Sequence, residues 1–175
     1  LLAEEPRIRK VLDSAAKMAG WGKSMPAHWA QGIALQSSFN TIVAQVVDID
    51  MSSGKPRVDK VFCAADAGFV ISPDGFIAQM ESGIVFGLTA ALYGDITLKD
   101  GAIVESNFHN YKMVRMNNSP DIEVKIINSG EPMGGAGEPG TPPIAPAVTN
   151  AIFAATGKRI RELPTSKHDG SYSLS

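Results

Sequence analysis

The sequence predicts an α+β fold, a mixed sheet with packed helices in one compact unit. Three observations predict it. Apolar residues recur at helical spacing in three separate stretches, strand-like runs lie between them, and glycine, proline or serine marks most boundaries. The 175 residues are enough for one domain with its own core, or for part of a larger one.

From Glu4 to Gly20, the residues Ile8, Val11, Leu12, Ala15, Ala16 and Ala19 form one apolar stripe, leaving Arg7, Arg9, Lys10 and Lys17 to solvent. Gly20 and Gly22 end this helix. Residues Gly32 to Met51 read as extended, closing in the strand-like run Thr41 to Asp50. The segment Ser52-Ser53-Gly54-Lys55 is a turn and Arg57 to Ala65 a second strand, so the pair reads as a hairpin. Ser72 is placed as an N-cap with Pro73 at the first helical position. The helix they open carries Ile77, Met80, Ile84, Leu88 and Leu92 and runs to about Tyr93. Its Ser82, Gly83, Gly87, Ala90 and Ala91 allow close approach by another backbone or a ligand. Two short strands around Asp100-Gly101 and a strand from Ile122 to Asn128 follow. Gly130 to Pro143 is a loop, and a helix from about Ile144 to Thr156 stops at Gly157. Lys158 to Leu163 reads as a final strand, and the chain from Thr165 onward as a loose polar tail beyond a domain ending at 164.

The composition narrows the function. With 44% hydrophobic and 19% charged residues and a formal net charge of -2, nothing favours nucleic acid or an anionic membrane surface. No apolar run approaches the ~20 residues of a membrane span. Cys63 stands alone, which leaves no internal disulfide and no thiolate set for zinc or an iron–sulfur cluster; amid apolar neighbours it reads as a small buried hydrophobe. His28, His109 and His168 lack metal-ligand spacing, and there is no GxSxG. Trp21, Trp29 and Phe39 read as core, and Asp66 as a turn acid.

The chemistry points to Gly134-Gly135-Ala136-Gly137-Glu138-Pro139-Gly140-Thr141-Pro142-Pro143. Glycines admit close approach, prolines fix the path, and a carboxylate on such a platform suits a general base. A structural reading makes Glu138 an acid favoured by the dipole of the following helix. A third reading is a dinucleotide loop, since Gly135 to Gly140 matches GxGxxG and Glu162 stands where a ribose-binding acid would. Pro139, Pro142 and Pro143 lack the N–H groups such a loop needs, and Glu138 would repel phosphate.

The run from Gly135 to Pro164 resembles the C-terminal signature of the xanthine dehydrogenase and aldehyde oxidase family, with its nearest likeness in the bacterial isoquinoline 1-oxidoreductase β-subunit branch. Ala64-Ala65-Asp66-Ala67-Gly68, Pro73-Asp74, and Gln79-Met80-Glu81-Ser82-Gly83 through Leu88 are similar to the family in the same order, as are Gly32 to Leu35 with Ser38-Phe39 and the stretch Asn107 to Tyr111. The resemblance implies part of a second molybdopterin-binding domain, in a large subunit several times longer. It implies a molybdenum cofactor held without a protein ligand to the metal, Glu138 as the base of an oxidative hydroxylation using water, and Gln79 hydrogen-bonded to the pterin. Gly135, Ala136 and Gly137 would line the metal through backbone atoms, with Ser82 and Ala136 departing from the usual Gly and Val. It also implies [2Fe–2S] clusters on a small partner subunit and an aldehyde or N-heterocycle as substrate, in the periplasm or the cytoplasm. The chain on its own is expected to be inactive. The alternative is a non-catalytic binding or assembly domain that keeps the fold.

Overall fold

The computed structural model describes residues 2–171. A 14-residue helix α1 (Pro6–Ala19) precedes three long strands, β1 (Trp29–Ser38), β2 (Thr41–Asp50) and β3 (Arg57–Asp66). Helix α2 (Pro73–Leu92) then leads through the two-residue strands β4 (Leu98–Lys99) and β5 (Ala102–Ile103) to β6 (Asp121–Ile126) and helix α3 (Ile144–Thr156). The main sheet has the order β1-β2-β3-β6, antiparallel except for the parallel β3–β6 pair, so it is mixed as expected.

Strand β2 explains the architecture. Ile42, Ala44 and Val46 join the apolar stripe of α1 on one face, while Val43, Val47 and Ile49 join α2 and α3 on the other. A strand covered on both faces shows no polar alternation, which is why its run is β-branched almost throughout. Between β2 and β3 the register passes from Asp48↔Lys60 to Ile49↔Val58, so Asp59 is an extra residue on β3. That bulge turns Val58 and Val61 toward the same core. On the α3 side, a Cβ at Gly32 would fall inside contact distance of the Ala147 carbonyl and the Ala151 nitrogen, so the helix rests directly on the β1 backbone.

Several expectations need correction. The stretch read as continuously extended is a hairpin, turning at Phe39 and Asn40 with φ of 53° and 60°. A two-residue turn with both φ positive matches sheet twist, but it is ordinarily signalled by Asn-Gly rather than Phe-Asn. Ser72 is the N-cap residue ahead of Pro73 as expected, but its side chain makes no capping bond; its carbonyl accepts from the Phe76 N–H at 2.9 Å. Arg7 is not given to solvent but bridges Asp66 with its Nε 2.9 Å from Oδ2. Helix α2 is long and apolar enough to cross a membrane by length and composition alone, although Asp74 and Glu81 interrupt its sequence. Its Phe76, Met80, Ile84, Leu88 and Leu92 belong to the central core.

Lys158 to Leu163 forms no strand. Arg159 stacks 3.5 Å over the Phe153 ring and donates to Asn150 Oδ1, which folds the segment back on α3 instead of along a sheet edge. The following residues, expected as a loose tail, make a 3-10 turn at Thr165–His168 with Thr165 buried. The turn is tied in by the Lys55–Asp169 pair at 3.4 Å; residues 172–175 of that tail lie outside the described residues.

Candidate active site

The loop between β6 and α3 is fixed by the sheet hairpins. Gly134 N–H donates to the Ala67 carbonyl at 2.9 Å, and Gly135 N–H to the Phe39 carbonyl at 2.8 Å. Thr41 Oγ1 donates to the Gly135 carbonyl at 2.7 Å, and Asn40 Nδ2 to the Pro132 carbonyl at 3.2 Å. Further along, Gln45 Nε2 donates to the Gly140 carbonyl at 2.7 Å, while the Thr141 N–H closes on the Glu138 carbonyl at 2.9 Å. Thr141 Oγ1 donates to the Gly83 carbonyl of α2 at 3.2 Å.

Behind the hairpin lies an ionic knot. Asp66 is completely buried and accepts from Arg7, from the Gly68 N–H at 2.8 Å and from Ser129 Oγ at 2.8 Å. Burial pushes its carboxyl up, but Arg7, Gly68 and Ser129 together outweigh that and hold it below the usual carboxylate range. Arg7 also donates to the carbonyls of Asn40 and Asp66. Asp66 is therefore the turn acid the sequence suggested, and it ties α1, the β1–β2 turn and the root of the Glu138 loop together.

Glu138 is exposed, and its carboxylate makes no ion pair or hydrogen bond among the described residues. It opens on a cleft of about 470 Å³ with Phe39, Ser82, Phe86, Gly137 and Thr141. Gln79 and Ala136 line a neighbouring cleft of about 360 Å³, whose rim carries the exposed Phe69, Ile71 and Met133. The same loop thus separates the predicted residues into two adjoining hollows. A larger hollow of about 740 Å³ runs between α2 and residues 111–122, but Glu138 and Gln79 do not line it.

Two readings of the loop fail on this geometry. Glu138 precedes Ile144, where α3 begins, and the first turn of α3 has no acidic residue, so the helix dipole does not account for it. Residues 127–143 separate β6 from α3, far from the tight strand–helix turn of a dinucleotide site, and Glu162 pairs with Lys167 at 3.2 Å. Phe39 was expected in the core and is 61% exposed beside Glu138; Trp21 is also exposed. Sequence reasoning missed Phe39, Phe86, Thr41 and Gln45. The one available signal was Gln45, a lone carboxamide in an apolar strand.

The glycines divide by role. A Cβ at Gly135 would stand 2.8 Å from Phe39 Cβ, and one at Gly140 would stand 2.9 Å from the Met80 carbonyl oxygen, so both serve internal packing. Gly137 has no atom within 4 Å of that position. The side chain of Gln79, exposed on α2, has no hydrogen bond among the described residues. An open glycine, a free carboxylate and a free carboxamide fit a bound polar cofactor. Among the described residues no three His, Cys, Asp or Glu side chains gather to hold a metal ion.

The chain belongs to the molybdopterin cofactor-binding domain family, whose model matches residues 10–120. Over 169 residues it is 37% identical to the isoquinoline 1-oxidoreductase subunit beta of Brevundimonas diminuta, covering 93% of this chain and 22% of that protein. It is 35% identical over 170 residues to a membrane-bound aldehyde dehydrogenase of Gluconacetobacter polyoxogenes named for pyrroloquinoline quinone, covering 93% of this chain and 21% of that one. Among solved structures, quinoline 2-oxidoreductase from Pseudomonas putida 86 superposes with a TM-score of 0.62 at 25% identity, over 71% of this chain and 17% of that one. The chain thus spans about a fifth of the length of the curated relatives it matches.

Proposed function

We propose that this chain forms the base-bearing part of the large subunit of a molybdenum hydroxylase, with Glu138 as the base. The observation that carries the proposal is the free carboxylate of Glu138, held on a loop anchored at both ends and set beside the open position at Gly137. The overall reaction is R–H + H₂O → R–OH + 2e⁻ + 2H⁺, with an aldehyde or an N-heterocycle as R–H. The bound cofactor supplies the two-electron redox chemistry.

This chain's own residues supply position and proton transfer. The Glu138 carboxylate oxygens accept the proton released as the oxygen nucleophile forms, a role that needs a fixed carboxylate within hydrogen-bonding reach. Gln79 would offer both a donor and an acceptor to the pterin, and Ala136 and Gly137 would approach the cofactor, whereas the N–H and carbonyl of Gly135 are already bonded to Phe39 and Thr41. Phe39 and Phe86 wall the Glu138 cleft. The remainder of the large subunit completes the pocket, and a small subunit with [2Fe–2S] clusters takes the electrons.

The test is Glu138→Gln in the full complex at molybdenum content matched to wild type. Loss of the base lowers turnover by at least ~10²-fold with the metal retained. Unchanged turnover would make Glu138 structural and overturn its assignment as the base.

A further inference from the structure

Gln45 is the one fully buried carboxamide of the central sheet. It stands in the middle of β2 opposite Cys63, between Ala44 and Val46, where an apolar side chain would fill the same space. Only half of the amide is satisfied. Nε2 donates to the Gly140 carbonyl at 2.7 Å, while Oε1 has no hydrogen-bond partner among the described residues. Burying a polar atom without a partner is costly, so the group weakens the sheet unless its other end does something an apolar side chain could not. What it does here is grip Gly140, at a point where that residue already abuts the Met80 carbonyl.

The other end of the loop is gripped from the same strand. Thr41, also fully buried, donates through Oγ1 to the Gly135 carbonyl at 2.7 Å, and Gly135 donates in turn to Phe39 at 2.8 Å. Both bonds leave the start and centre of β2 and land five residues apart on the loop. Between them lie Ala136, Gly137, Glu138 and Pro139, tightened by the Thr141 N–H to Glu138 carbonyl bond. We propose that Gln45 and Thr41 are positioning residues for Glu138, clamping both ends of its loop to the sheet. The catalytic consequence rests on Glu138 being the base; the clamp itself does not.

The experiment uses the full complex with Gln45→Met, Thr41→Val and the conservative control Thr41→Ser. Two readouts are taken: amide hydrogen exchange at Gly134, Gly135 and Thr141, whose N–H groups are hydrogen-bonded, and kcat against KM at matched molybdenum content. Gln45→Met and Thr41→Val are expected to speed exchange at least tenfold and to lower kcat roughly 10- to 100-fold, with KM within about twofold, because a small misplacement of a reacting group carries a cost of that order. Thr41→Ser keeps the hydroxyl and restores both. Unaltered exchange in Thr41→Val, or a kcat loss that merely tracks lost metal, overturns the proposal. Should Gln45→Met fail to assemble, the Thr41 pair decides alone. If Glu138→Gln leaves turnover intact, the base assignment falls while the exchange data still decide the clamp.

Discussion

Replacing Arg7 with Met should destabilise the protein by about 2 kcal/mol at neutral pH, and most of that loss should vanish in acid. The figure follows from the knot. Removing one partner of a buried ion pair costs about 3–5 kcal/mol, because the other charge is stranded. Arg7 retains 23% side-chain exposure while Asp66 has none, so water partly screens the pair. Asp66 would also keep the Gly68 N–H and the Ser129 hydroxyl. Those two corrections bring the range down to about 2 kcal/mol, or a fall in Tm of roughly 4–8 °C for a chain of this size. The sign of the pH dependence is fixed by the direction of the shift. Asp66 is held below its ordinary value near 3.9, so its contribution is complete above that pH and is lost as pH falls through the folded-state value. In Arg7→Met, burial is no longer opposed by Arg7; Asp66 protonates at higher pH and escapes the penalty sooner. Urea unfolding of wild type and variant from pH 7 to pH 3 should therefore show curves that converge toward acid. A difference below about 0.5 kcal/mol at pH 7, or one constant across that range, would refute the reasoning.

The glycines of the Glu138 loop should separate under substitution. Gly135→Ala drives a Cβ to 2.8 Å from Phe39 Cβ and should cost about 1–3 kcal/mol in thermal unfolding. Gly137→Ala meets nothing in the chain; it should leave Tm within about 2 °C and instead lower the molybdenum content of the full complex. Cys63 is fully buried and its thiol is pushed up to about 12, chiefly by desolvation. Iodoacetamide at pH 8 should leave it unmodified in the native state and alkylate it in urea; rapid native labelling would contradict the packing of β3 on β2.

Much of the fold was legible because its elements follow simple periods. The stripe of α1, the β-branched run of β2 and the proline-opened α2 are local patterns, and Gly20 and Gly157 end α1 and α3 in left-handed conformations as glycine permits. The features that escaped are tertiary. Phe39-Asn40 turns a hairpin without glycine, so nothing divided residues 32–51. Arg7 read as solvated because its partner Asp66 is 59 residues away. Lys158 to Leu163 had a strand's composition, yet Arg159 is captured by Phe153 and Asn150. Glu138 was legible from its Gly/Pro setting and from family resemblance; Phe39, on the opposite wall of its cleft, was not.

The site's geometry is inherited from contacts far apart in sequence. Thr41 and Gly135 are 94 residues apart, Gln45 and Gly140 95, and Asn40 and Pro132 92. All three bonds join the loop to β2 or the β1–β2 turn, so the loop's path depends on that hairpin rather than on neighbours in sequence. Glu138 lies outside the first turn of α3, and its loop is bonded at Gly135 and Gly140 to side chains of β2. The Gly/Pro motif marks where the carboxylate is, but the anchoring of its loop comes from the buried strand beneath it. A loop of identical sequence on a different scaffold would lack both anchors, and with them the fixed path of its backbone.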